Sequence, residues 1–167
     1  MTADLFKHRK QLLRILVLGA YRPRGASERL EKLRDCLIKR GYSSAKLAKD
    51  FPDTARYSDD VDEHFTIKSR KLIDEWADVP IFVFFKSADN QGVASEITYT
   101  CLRLHDKQSC CAVFFEGKLA DYSTQIRGSI KITRQISYEV FKADEELCDL
   151  AAGHCLKILD RLFYFIE

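Results

Sequence analysis

Apolar and polar positions alternate along this chain with two distinct periods. Ile15-Leu-Val-Leu18 is a continuous apolar run within residues 14–20 and predicts a strand buried on both faces. Leu30, Leu33 and Leu37 then recur at helical spacing up to Arg40, and Gly41 supplies a stop. Residues 45–51 predict a second, weaker strand, and 52–62 a polar loop with an acidic end. Residues 64–77 predict a helix with Phe65, Leu72, Ile73 and Trp76 on its apolar side. A strand over 80–85, a helix over 92–105 and a strand over 110–115 follow. Residues 117–128 read as a loop or a short helix, and 136–141 as a fifth strand. Residues 143–163 predict a long closing helix with Leu147, Leu150, Ala151, Cys155, Ile158 and Leu162 as its apolar stripe.

Five alternating strand–helix units imply an α/β fold: a five-stranded parallel sheet with helices on both faces. Right-handed crossovers leave few ways to connect the strands, and the flavodoxin-like order 2-1-3-4-5 is the natural one. Its switch point lies between the first and third strands, which sets the loops after Leu18 and after Phe85 side by side. Residues 1–167 read as a single α/β domain, with 1–12 as an N-terminal extension; no repeat or linker interrupts it.

Composition narrows the function. The 167 residues are 46% hydrophobic and 31% charged, enough for a sizeable core. With 27 basic and 25 acidic residues the formal net charge is +2, so nothing demands a specific nucleic acid or an anionic membrane as partner. The longest apolar runs are strand-sized, short of the ~20 residues a membrane span needs. Met-Thr-Ala-Asp, with Lys7, His8, Arg9 and Lys10 close behind, lacks the apolar core of a signal peptide, so a cytoplasmic location is expected. Of the six cysteines, Cys110 and Cys111 are adjacent in an apolar run, while Cys36, Cys101, Cys148 and Cys155 fall on predicted helices. No Cys-x-x-Cys occurs and the four histidines are scattered, so reduced, buried cysteines are expected, with no metal site and no cofactor.

The two loops at the switch point carry the candidate chemistry. The first reads Gly19-Ala-Tyr21-Arg22-Pro-Arg24-Gly25-Ala-Ser27. Glycine lets backbone approach a ligand, and two arginines offer fork-shaped donors to a phosphate. Ser27 is placed to cap a helix starting near Glu28, whose N-terminus favours an anion. Gly-x-Gly-x-x-Gly and a P-loop are both absent. The second loop reads Lys86-Ser-Ala-Asp89-Asn-Gln-Gly92 and leads through Val-Ala-Ser to Glu96. A glutamate near a helix start is favoured in its ionised form. Such a carboxylate suits a nucleophile, or a stabiliser of the oxocarbenium-like state through which an N-glycosidic bond breaks. The plain alternative is an ordinary first-turn glutamate, with a solvated basic loop beside it.

Three stretches together resemble the nucleoside 2-deoxyribosyltransferase-like superfamily, which includes nucleotide N-glycosidases and is close to TIR-type NAD hydrolases. They are Leu18-Gly-Ala-Tyr-Arg22 ending a strand, Ile73-Asp-Glu-Trp-Ala-Asp78 leading into an apolar strand, and Gly92-Val-Ala-Ser-Glu96, similar to the family's Gly-x-x-x-Glu. The resemblance spans roughly residues 14–104. It implies Glu96 as the catalytic carboxylate, Asp89 as a positioning group, and Gly19, Tyr21, Arg22, Arg24, Gly25, Ser27 and Gly92 around a nucleotide-like substrate. Related enzymes often complete the site across a subunit contact, which makes a homodimer an expectation. The chain departs from the pattern in two places. The family's aspartate six residues before the glutamate is Asn90 here, and Ile97-Thr-Tyr-Thr100 stands where the family often has Leu-Gly-x-Ala. A nucleotide-binding or TIR-like sensor module without turnover therefore stands beside the enzyme reading. Ser69 and Asp74 are further candidates to face the cleft, while Trp76 reads as core.

Overall fold

The computed structural model describes residues 3–53, 56–132 and 136–164. The extension at residues 1–12 contributes a helix, α1 (Ala3–Leu12), none of whose residues is buried. It is tied down at its end, where the Ser44 hydroxyl donates to the Gln11 carbonyl at 2.7 Å. The remaining elements are β1 (Ile15–Gly19), α2 (Arg24–Lys39), β2 (Ala45–Leu47), α3 (Val61–Lys71), β3 (Val79–Phe84), α4 (Gln91–Arg103), α5 (His105–Gln108), β4 (Ala112–Glu116), α6 (Thr124–Ile132), β5 (Tyr138–Phe141) and α7 (Asp144–Tyr164). The five strands form one all-parallel sheet in the order β2-β1-β3-β4-β5.

Strand residues alternate between two cores, as the period of two requires. Ile15, Val17, Ile81, Val83 and Phe114 face the side covered by α2 and α7. Leu16, Leu18, Phe82, Phe84, Val113 and Phe115 face the side covered by residues 72–77, α4 and α6. Because both faces are covered, the central strands need no polar positions, which is why their sequences are unbroken apolar runs. Among the described residues no helix is long and apolar enough to cross a membrane.

Local chemistry moved several boundaries. The second strand ends at Leu47 rather than continuing to residue 51, because a 3-10 turn, Ala48–Asp50, begins there. Asp50 accepts the Leu47 amide at 2.8 Å and ion-pairs with Arg34, which turns the chain off the sheet edge. The α3 helix starts three residues before the expected position 64, at Val61, with Asp60 accepting the Glu63 amide at 2.8 Å as its cap. The acidic cluster thus serves a helix start. Beyond Lys71 the helix widens over Leu72–Trp76 into a turn closed by the Ala77 amide on the Leu72 carbonyl at 2.9 Å. The uncertain stretch after Gly117 contains a 3-10 turn, Leu119–Asp121, followed by α6.

The expectation of uniformly reduced cysteines is corrected. Cys36 on α2 and Cys148 on α7 form a disulfide, with their Cα atoms 6.4 Å apart, whereas Cys101, Cys110, Cys111 and Cys155 are free. The partners lie 112 residues apart and meet because α2 and α7 pack side by side on one face of the sheet.

Gly19 has a packing role besides the one expected of it. A Cβ there would stand 2.7 Å from Leu30 Cδ2 and 3.0 Å from the Val83 carbonyl oxygen. The leucine can shift, but the carbonyl belongs to β3 and is fixed by the sheet. Gly19→Ala is expected to lower stability by about 1–3 kcal/mol, read as a lower denaturant midpoint. An unchanged midpoint would show that β1, β3 and α2 have slack there.

Candidate active site around Glu96

The crossovers into and out of β1 and β3 bring together side chains from three segments at the carboxyl edge of the sheet. Glu96 comes from the second turn of α4, which begins at Gln91. Ser69 and Arg70 come from α3, and Tyr21 from the loop after β1. Ser69 is buried and stands near the Glu96 carboxyl, where its hydroxyl favours the ionised form. Arg70 Nη2 donates to Ser95 Oγ at 3.0 Å, and its guanidinium lies 5.2 Å from the centre of the Tyr99 ring. Its Nε is buried and lacks a hydrogen-bond partner within the protein. The guanidinium is therefore held against α4 on both sides of Glu96.

Burial dominates the electrostatics of this carboxyl. Loss of solvent pushes the Glu96 pKa up to about 7, against the Ser69 hydroxyl and the positive charge of Arg70, which pull it down. The sequence reading expected a helix-start dipole to keep this group ionised. Glu96 sits a full turn further in, where the dipole has faded, so desolvation wins. The result is a carboxyl poised between forms near neutral pH, with donors beside it to receive the charged one. The Tyr21 phenol is likewise raised above its ordinary value, first by burial and then by the nearby Glu96 charge. Backbone hydrogen bonds with Ala48 and Lys49 oppose that shift. Taken as a whole residue, Tyr21 is 37% exposed, so its phenol end lies near Glu96 while the rest of it faces solvent.

The other expected site residues divide. Arg22 and Arg24 are exposed, and Arg24 pairs with Glu28 one turn along α2 rather than aiming at Glu96. Ser27 does not cap α2. The helix begins earlier, at Arg24, with Pro23 in the capping position in extended backbone and no side-chain cap bond, because proline carries no side-chain acceptor. Ser27 Oγ instead accepts from Lys49 Nζ at 3.2 Å. Gly25 and Gly92 have nothing within 4 Å of where a Cβ would stand, so packing demands neither, and both leave open space at a helix start. Of the two further candidates, Ser69 joins the site and Asp74 is exposed.

Asp89 and Asn90 exchange the roles suggested by their neighbourhood. Asp89 is exposed; its Oδ1 accepts the Gln91 amide at 3.2 Å, and its own amide donates to the Arg22 carbonyl at 3.1 Å. It ties the two switch-point loops together, and among the described residues no hydrogen bond joins it to Glu96. Asn90 is buried, with Oδ1 accepting the Phe85 amide at 3.3 Å and Nδ2 donating to the Phe85 and Ala88 carbonyls at 2.8 and 3.2 Å. A carboxylate cannot donate, so the two carbonyls require an amide at this position. Asn90→Asp should cost about 2–3 kcal/mol by setting a carboxylate against two carbonyls. Equal thermal stability of the two proteins would contradict this account of the loop.

Arg70 is the group that sequence reasoning missed. It lies on a polar stretch of α3, twenty-six positions from Glu96, and only the packing of α3 on α4 makes them neighbours. Among the described residues, no cluster of three or more His, Cys, Asp or Glu side chains is placed to hold a metal ion. Two clefts open elsewhere, along α3 and the segment after β2, and Glu96 lines neither. No protein-family model, no curated protein and no solved structure matches this chain at a significant level.

Proposed function

We propose that the protein hydrolyses or transfers at the N-glycosidic bond of a nucleotide-type substrate, a deoxynucleotide or NAD, through Glu96. One observation carries this reading: a desolvated glutamate carboxyl at the carboxyl edge of β1 and β3, backed by Ser69, Arg70 and Tyr21. In an open α/β sheet that edge, at the switch point between two strands, is where ligands bind. The ionised carboxylate would trap or stabilise the cation that forms as the bond to the base breaks. Ser69 and Arg70 favour that ionised form, and the neutral form suits proton delivery to the leaving base. Base release from deoxynucleotides and from NAD, compared between wild type and Glu96→Gln, tests the reading. Equal rates in the two proteins would refute it.

A second reading is a nucleotide-binding sensor without turnover. It is favoured by the exposure of Arg22, Arg24 and Asp89, which leaves Glu96 without a second carboxylate bonded to it. Calorimetry with a nucleotide panel separates the two readings, since binding with no product points to the sensor.

A further inference from the structure

The α3 helix has a second side, facing away from Glu96, and it encloses a cleft of about 280 Å³. Its walls are aromatic and fixed. The Trp76 and Phe51 rings meet edge to face, with centroids 4.7 Å apart. The Tyr57 ring is backed by His64 at 5.5 Å in a stacked arrangement, and the Tyr57 amide donates to His64 Nδ1 at 3.2 Å. Trp76, read from sequence as core, is only partly buried and lines this cleft.

The polar groups in the cleft are balanced. Lys68 is buried, and its ammonium donates to the Phe51 carbonyl at 2.6 Å and to Asp53 at 2.7 Å. An ammonium has three donors, so one remains beyond these two acceptors, with the Phe65 ring 5.8 Å away. The Lys71 ammonium lies 4.8 Å from the centre of the Tyr57 ring. Against these two cations stand the carboxylates of Asp53 and Glu75. Two positive and two negative groups give no net charge to attract an anion or a cation. They do offer both donors and acceptors at the rim of flat apolar walls. That combination matches a planar ring carrying acceptors and N–H donors of its own. The volume lies at the small end for ligand sites, enough for one or two fused rings.

We infer that this cleft is a binding site for a neutral, planar nitrogen heteroaromatic of nucleobase size, distinct from the Glu96 site. Aromatic walls contribute stacking and apolar burial, and Lys71 and Glu75, one helical turn apart at the rim, supply a donor and an acceptor to the ring's edge. The inference stands whether or not Glu96 is catalytic.

Trp76 is the sole tryptophan in the chain, so its fluorescence reports on this cleft directly. Adenine, benzoate and benzamidinium serve as the neutral heteroaromatic, anionic and cationic probes, titrated separately into the full chain. Adenine is expected to change the Trp76 emission saturably and to bind at least about ten-fold more tightly than either charged ring. Lys71→Ala and Glu75→Ala, both at exposed positions, should each weaken adenine by about ten-fold while the far-ultraviolet circular dichroism stays unchanged. Glu96→Gln should leave adenine affinity unaltered. Absence of saturable adenine binding, by fluorescence and by calorimetry, overturns the inference. So does preference for a charged probe, wild-type affinity in both cleft variants, or loss of adenine binding in Glu96→Gln, which would place the ring at the other site.

Discussion

Glu96→Gln will lower base release by at least about a thousand-fold, the scale on which a catalytic carboxyl acts, and it will do so in a protein that is no less stable. The two results together distinguish a catalytic group from a structural one. The pKa of about 7 supplies the sign, because in the unfolded chain the same carboxyl has its ordinary value of 4.5. Below 4.5 the group is protonated in both states and imposes no penalty. Between 4.5 and 7 the folded state holds a proton that the unfolded state has released, so stability falls as pH rises. Above 7 the full penalty of an ionised, desolvated carboxylate is present, on the order of 3 kcal/mol. Glutamine removes that penalty. The variant should therefore match wild type near pH 4.5 and exceed it at pH 8, as measured by urea unfolding at the two values. Activity should follow the opposite course: if the ionised form attacks or stabilises the cation, kcat/KM climbs with pH through about 7 in wild type. A variant that is less stable at pH 8 would mean that Glu96 holds the fold together. The site reading would then fail for a reason independent of any substrate.

Arg29→Met is expected to destabilise the protein by about 2–4 kcal/mol at neutral pH, because it strands two carboxylates. The Arg29 guanidinium donates to Glu116 at 2.9 and 3.1 Å and to Asp144 at 2.8 Å, and it lies 4.2 Å from the centre of the Phe85 ring. About a quarter of the arginine side chain remains exposed, which keeps the effect below that of a fully buried pair. Glu116 also accepts the Lys86 amide at 2.9 Å, so the network fixes the start of the loop that leads to Asn90 and Glu96. The hydrogen bond from Arg29 is the main cause holding the Glu116 pKa below its ordinary value. A depressed carboxylate contributes stability above its unfolded value of 4.5 and loses it as pH falls through the lower folded value. The gap between wild type and variant should accordingly be widest at neutral pH and close in acid. Guanidinium unfolding across that range measures it, and a gap independent of pH would show that packing on Phe85, not charge, is what the arginine provides.

The strands were legible because their burial on both faces demands nearly continuous apolar residues, which leaves little else for Ile15-Leu-Val-Leu18 or Ile81-Phe-Val-Phe84 to be. The sheet order followed from alternation and handedness. Glu96 was legible as a carboxylate at the sheet's carboxyl edge for the same reason. The ends of elements were harder, because they depend on single side chains: Asp50 bonding Leu47, Asp60 capping α3, Pro23 starting α2 ahead of Ser27. The loop glycines and arginines look alike in sequence whether they hold a ligand or face water, and in the structure Arg22 and Arg24 are exposed.

By itself the sequence determined the layered α/β architecture and the position of one glutamate, since both rest on periodicity and chain order. Tertiary structure alone decided that glutamate's surroundings. Arg70 and Ser69 reach it only because α3 packs on α4, Tyr21 only because β1 ends beside β3, and Cys36 meets Cys148 only because α2 lies along α7. Desolvation, which sets the charge of Glu96, is a property of everything packed around a carboxyl, and no local pattern in the chain encodes it.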